Sequence, residues 1–456
     1  MFRYLSADYV FPISSAPLKN GVVVVDERGF ISDVIKPDSG IHLQDIEHFN
    51  GILCPGFINS HCHLELSYLK GKISERKGLD EFIGEIESKR KNFPIAEIQK
   101  AIELAEDEML KNGIVGVGDI SNSEYSFLQK SKGRLKYHTF IEALGFHPDR
   151  AEMAFEKCLQ LLGKLNFYFS NQGTDMTGSH YLHADVPDLT GSPYPQVYVP
   201  DLTGSPYPQA NAANLSGRVF QSSITPHAPY SASVELLKKI SDFALKNNSI
   251  LSIHNQENAD ENKMFLEGKG KIMERLEKFG IDVSHWQPTC KSSLQSILPQ
   301  LTGAGKILLV HNTFTSENDI RWVKQNGRKT EDGSQKSATS IYFCFCPNAN
   351  LYIENTLPDF QLFIDENCKI TVGTDSLSSN WSLSILDELK AITRKAPHIP
   401  LEKLLTWATK NGAEFFGWEK ELGTFEKGKK PGVNWIKNVD LEKMKLVEGS
   451  EVERVV

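Results

Sequence analysis

The sequence is short of several things. Its 456 residues hold seven cysteines, an odd number without framework spacing, and Cys344 and Cys346 stand too close in the chain for a typical bridge. A disulfide-stapled scaffold is excluded, and reduced thiols in a cytoplasmic protein are the economical expectation. No uninterrupted apolar run approaches the roughly 18 residues that span a bilayer, so no membrane partner is expected. The first residues, MFRYLSADYVFPISS, lack a signal-peptide h-region because Arg3, Ser6 and Asp8 interrupt it. Dense Lys/Arg runs are missing outside short segments such as Lys427-Gly428-Lys429-Lys430. Together with a net charge of −8, that argues against a nucleic-acid footprint.

What is present is an ordinary globular composition, 40% hydrophobic and 24% charged. The length suits two or three domains, or one large barrel with an appendage. Residues 1–54 read as short strands joined by tight turns, with Asn20-Gly21 and Arg28-Gly29 between alternating runs. Residues 419–456 resume that pattern, so both chain ends are expected to build one small β-sandwich around a central body, residues 55–418.

The central body alternates. Helical spacing over 78–112 stops at Gly113, and IVGVGDIS follows as a buried strand. Eight strands are predicted, at 57–61, 114–121, 137–144, 219–226, 250–254, 306–311, 340–346 and 369–375. Eight β/α repeats imply an α/β fold of the TIM (β/α)8 type, whose chemistry sits at the C-terminal strand ends. An open doubly wound sheet is the alternative, but no Gly-X-Gly-X-X-Gly follows the first strand. One region does not fit: VPDLTGSPYPQ occurs at 186–196 and again at 199–209, and reads as a Pro/Gly-rich loop inserted at about 184–212.

The first barrel strand ends in His61-Cys62-His63. Side chains at i and i+2 of a strand point the same way, so both imidazoles can reach one cation, while Cys62 points away. A lone His-X-His is weak evidence, but further donors recur at other strand ends: His254, Asp375, His311 and His227. A site of His61, His63, His254 and Asp375 would offer three imidazoles and a carboxylate with room for a water, whose pKa an open site lowers toward neutrality. Glu257 is placed to shuttle protons between that water and a ring nitrogen, with His311 and Asp375 orienting and deprotonating the nucleophile. A single histidine at a strand end is ordinarily a turn residue. The weight lies in five of thirteen histidines falling at four strand ends of one barrel. Glu142, ending strand three, faces either the pocket or a partner side chain; Asn348 and Asn350 line the pocket or hold the loop after strand seven. Eight other histidines, among them His138, His147 and His285, read as ordinary surface or packing residues.

These residues carry a resemblance. PGFINSHCHLEL, TPHAPYS, the His254–Glu257 pair, LLVHNT, CPNANLYIEN and VGTDS resemble the amidohydrolase superfamily over nearly the whole chain, specifically its single-metal deaminase and chlorohydrolase branch. The resemblance implies a distorted barrel with a split β-sandwich, and one divalent metal on His61, His63, His254 and Asp375. It implies Glu257 as proton shuttle, His311 as the residue orienting the water, and His227 as a substrate-binding histidine. HLELS is similar to aminofutalosine-deaminase-like members, which places Glu65 either near the substrate or in a local salt bridge. The binuclear branches need a carboxylated lysine where strand four here ends Thr225-Pro226-His227.

The implied function is hydrolytic deamination of an N-heterocycle, in particular an adenine nucleoside such as aminofutalosine, adenosylhomocysteine or adenosine. Two alternatives stand beside it: hydrolysis of a different leaving group or of a cyclic amide at the same site, and a non-catalytic metal-binding barrel. Zinc is the expected metal, with Fe²⁺ equally suited to the donor set. Barrels of this sort often pair, so a homodimer is an expectation.

Overall fold

The computed structural model describes residues 2–36, 46–170, 220–326 and 339–456. The duplicated VPDLTGSPYPQ segment lies outside them.

The first five strands are β1 (Phe2–Val10), β2 (Leu18–Lys19), β3 (Val22–Asp26), β4 (Ile31–Ile35) and β5 (Ile46–Pro55). The barrel strands are β6 (Phe57–Cys62), β7 (Ile114–Ser121), β8 (Lys136–Ala143), β9 (Gln221–Pro226), β10 (Leu251–Asn255), β11 (Lys306–His311), β12 (Ser340–Phe345) and β13 (Lys369–Val372). Two more, β14 (Val433–Lys437) and β15 (Glu451–Arg454), close the chain.

Both ends of the chain meet in one seven-stranded sheet, ordered β15-β14-β5-β1-β3-β4 with β2 beside β1. Alternation in β1 and β3 turns Leu5, Val23 and Val25 onto a shared core with Leu53, Phe425 and Val433. The turns fall where small or amide residues accept left-handed backbone, Asn20 at φ 51° and Gly29 at φ 86°.

All eight predicted barrel strands form. They pair in parallel as β6-β7-β8-β9 and β10-β11-β12-β13, with helices between most of them. Two seams join these halves into a ring. At one, the His254 amide donates to the His227 carbonyl at 3.0 Å and the Ser252 amide donates to Thr225 Oγ1 at 2.8 Å. At the other, the amides of Thr374 and Asp375 both donate to the His61 carbonyl, at 3.1 and 3.0 Å. The interior is filled by Ile58, Phe140, Leu308, Val310, Tyr342, Phe416 and Trp418. Gly116 and Gly118 leave the room for this plug, since a Cβ on Gly118 would stand 2.4 Å from Phe416 Cζ.

Among the described residues no helix is long and apolar enough to cross a membrane. All seven cysteines are free thiols.

Candidate metal and catalytic site

Four strand ends deliver the site. β6 carries Ile58 in the interior plug, and strict alternation from there would turn His61 and His63 away. The β6–β7 register slips between Asn59 and Cys62, and this irregularity resets the phase. β13 ends at Val372, three residues short of the expected Asp375, and Asp375 itself takes left-handed backbone at φ 57°. His311 does the same at φ 72°. Non-glycine residues held in this region mark places where the surroundings override local preference, which is common at functional sites.

The donor atoms converge. His63 Nε2 stands 3.2 Å from His61 Nε2 and 3.3 Å from His254 Nε2. Asp375 Oδ1 lies 3.6 Å from His61 Nε2 and 3.4 Å from His63 Nε2. A tetrahedral cation with bonds of about 2.0–2.1 Å has ligand-to-ligand edges of about 3.3 Å. His61, His63 and His254 therefore stand close enough together to share one small ion, and Asp375 Oδ1 lies beside two of them. Their chemistry fits as well: burial pushes His63 down to about 3 and His254 well below the usual imidazole range, keeping lone pairs free. His254 Nδ1–H donates to the His227 carbonyl at 2.8 Å, which turns its Nε2 lone pair toward the common point. For Asp375, burial alone would raise the carboxyl, but the adjacent His61, His63 and His311 rings hold it well below its ordinary value. Ser379 Oγ donates to its other oxygen, Oδ2, at 2.6 Å, leaving Oδ1 for the cluster.

Beside the donors, His311 Nδ1–H donates to Asn350 Oδ1 at 2.8 Å, so its Nε2 faces Glu257 Oε1 at 3.7 Å. Burial, and then the nearby Asp375 charge, raise the Glu257 carboxyl well above the usual range. His227 Nδ1 meets Ser231 Oγ at 2.8 Å, and burial lowers its imidazole to about 4. Glu65 lines the cavity, yet both its oxygens are engaged: Oε1 accepts the Asn122 amide, and Oε2 accepts the Ser123 amide and hydroxyl. Asn348 is not brought to the cavity. Its amide N–H and Nδ2 both donate to buried Glu388, at 2.8 and 3.1 Å, so it holds the loop after β12.

Sequence reasoning missed Ser379, Glu388 and the Asp119–Lys130 pair beneath β6, and left Glu142 undecided. Glu142 turns to the cavity, with Oε2 accepting from Asn122 and Oε1 standing 3.6 Å from His254 Nδ1. Only its strand-end position could have signalled this. The cavity holds about 1100 Å³ and takes in His63, Glu142, His227, Glu257, His311 and Asp375. An adjoining chamber of about 550 Å³ shares Leu79, Ile83, Leu144, His227, Tyr230 and Phe279 with this cavity and adds Phe146 and Leu276.

A (β/α)8 barrel whose strand ends gather three imidazoles close enough to share one cation, with a carboxylate beside them, defines the class: a barrel hydrolase with a candidate metal site. The chain matches the Amidohydrolase family over residues 52–446, and it belongs to that family. It is 25% identical over 381 residues to adenosine deaminase of Helicobacter pylori, covering 82% of this chain and 76% of that one. The crystal structure of Helicobacter pylori aminofutalosine deaminase aligns over 100% of both chains, with a TM-score of 0.70 at 21% identity. An adenosine deaminase from Xanthomonas campestris with bound zinc covers 97% of this chain and 86% of its own, with a TM-score of 0.61 at 16% identity. These two likenesses establish the fold.

Proposed function

We propose that the chain deaminates an adenine-based nucleoside by hydrolysis. The observation that carries this reading is the placement of Glu257. A buried carboxyl that holds no ligand position faces the same space as the converging donors, and a purely structural metal site has no use for it. His61, His63, His254 and Asp375 would hold the ion. Bound there, a divalent ion lowers the pKa of a water toward neutrality.

The remaining work falls to side chains. Glu257, kept protonated by burial, gives its proton to the ring nitrogen next to the amine-bearing carbon as water adds to that carbon. His311, fixed by Asn350, and Asp375 orient the water and take its proton. The proton taken from the water passes to the amine, the carbon–nitrogen bond breaks and ammonia leaves; the hydroxyl left on the carbon gives its remaining proton back to Glu257 and becomes the ring carbonyl. His227, steadied by Ser231, contacts the heterocycle, and Glu65 keeps the 122–123 loop at the cavity wall.

The apolar outer chamber supports a nucleoside enlarged at the sugar over a free base. The relatives are named for adenosine and aminofutalosine, which supports the adenine ring. Zinc is the ion proposed, since an imidazole-rich set with one carboxylate suits it.

Ammonia release from the zinc-loaded protein tests the proposal, across aminofutalosine, adenosylhomocysteine, adenosine, guanine, cytosine and an aminotriazine. Ammonia from an adenine nucleoside, lost in Asp375→Ala, is expected. Silence across the panel with metal bound would assign a different leaving group, and silence without metal would remove the reading.

A further inference from the structure

Lys130 and Asp119 form an ion pair in which neither side chain has any exposure. Lys130 comes from the short helix Phe127–Ser131 and Asp119 from β7. Burying two charges carries a desolvation cost, and an apolar pair of similar volume commonly serves packing as well or better. What this pair holds distinguishes it. Asp119 Oδ1 accepts the Leu64 amide at 2.7 Å, and that N–H is the first beyond His63. The 3-10 helix Leu64–Leu69 starts there, and His63 supplies no side-chain cap of its own. Cys62 pairs with Asp119 in the β6–β7 ladder and bridges to Asp375 on the other side. The His63 backbone is thus gripped immediately before and immediately after. Lys130 lies against the gripping carboxylate and fixes its aim, with Nζ donating also to Ser121 Oγ at 2.8 Å and Thr139 Oγ1 at 3.3 Å.

We propose that Asp119 and Lys130 are positioning residues for metal binding, acting through the Leu64 amide to hold His63 at its distance from His61 and His254. The inference rests on His63 being a metal ligand. Supporting groups of this kind are worth about 10–100-fold in metal affinity.

The test uses the full chain and zinc competition against a chromophoric chelator, with apo-protein melting recorded in parallel. Lys130→Met is expected to weaken zinc binding at least tenfold and to lower the melting temperature, since it strands Asp119. The deciding variant is Asp119→Leu with Lys130→Met, which removes both charges. It is expected to recover melting while zinc affinity stays at least tenfold below wild type, because no acceptor remains for the Leu64 amide. Recovery of affinity together with melting would make the pair a packing element and overturn the proposal. A double variant that fails to fold would overturn it equally, by making the pair a requirement of the barrel. Wild-type protein that binds no zinc would instead remove the metal reading beneath it.

Discussion

Glu257→Gln separates chemistry from architecture. The Glu257 carboxyl is 5% exposed, and its nearest charged-group neighbour is His311 Nε2 at 3.7 Å, beyond hydrogen-bond length. Glutamine matches the size and the neutral state that burial favours, so it opens no void and strands no partner. Stability is expected to change by less than about 1 kcal/mol, as for substitutions that disturb no packing or network. The proton delivered to the ring is lost, and a positioned acid is worth about 10²- to 10⁴-fold, or about 3–5 kcal/mol of barrier. The assay is steady-state ammonia release at saturating zinc, with metal content measured on the same sample. The expected result is a 10²- to 10⁴-fold lower kcat, one ion per chain as in wild type, and KM within a few-fold. A kcat within tenfold of wild type at equal metal content would refute the shuttle role. Loss of the ion would show that Glu257 holds the metal.

The parts of the site that were legible in the sequence are those set by strand periodicity. His61, His63, His254, His311 and Asp375 each follow an apolar run, and parallel β/α repeats bring such run-ends to one rim. The supports were not legible, because each depends on contacts far apart in the chain. Asn348 reads as a pocket amide until Glu388, forty residues on, is seen taking both its donors. Lys130 sits in a short polar helix where a lysine ordinarily faces solvent, and only the fold reveals that it points inward onto Asp119.

The barrel shows the same division. The positions of the strands were readable, but the phase slip in β6 was not, since register irregularities arise between strands and not within one. The interior plug was equally hidden. Gly116 and Gly118 look like ordinary members of a buried run, whereas Phe416 and Trp418, three hundred residues later, occupy the space their missing side chains leave. His138, expected as a surface or packing residue, is buried against Phe140 and Phe416 with a 2.8 Å contact to Ser223 Oγ.

Ser379→Ala removes the donor that orients Asp375, so zinc affinity should fall by about tenfold while excess zinc restores turnover; chelator competition reads the first and ammonia release the second. Glu261 is fully buried, accepts from the Gln256 amide and Ser293 Oγ, and has its carboxyl raised by burial to about 8. The folded state therefore keeps a proton that the unfolded chain releases, and this contribution to stability fades as pH rises from about 4.5 through about 8. Glu261→Gln should leave urea stability near pH 5 little changed and raise it near pH 9, on the order of a few kcal/mol; a variant no more stable than wild type near pH 9 would refute the assignment. Gly118→Ala drives a Cβ against Phe416 and the Ser60 carbonyl and should cost about 1–3 kcal/mol in urea unfolding. Gly373→Ala must behave differently, because its Cβ would stand 2.8 Å from the His61 N, O and Cβ atoms. The His61 carbonyl is also the acceptor that closes the β13–β6 seam, so relieving the clash separates His61 from Asp375 and opens the barrel in one movement. Stability and zinc affinity should therefore fall together in Gly373→Ala. Unchanged affinity in a destabilised protein would show that the seam does not hold the donors in place.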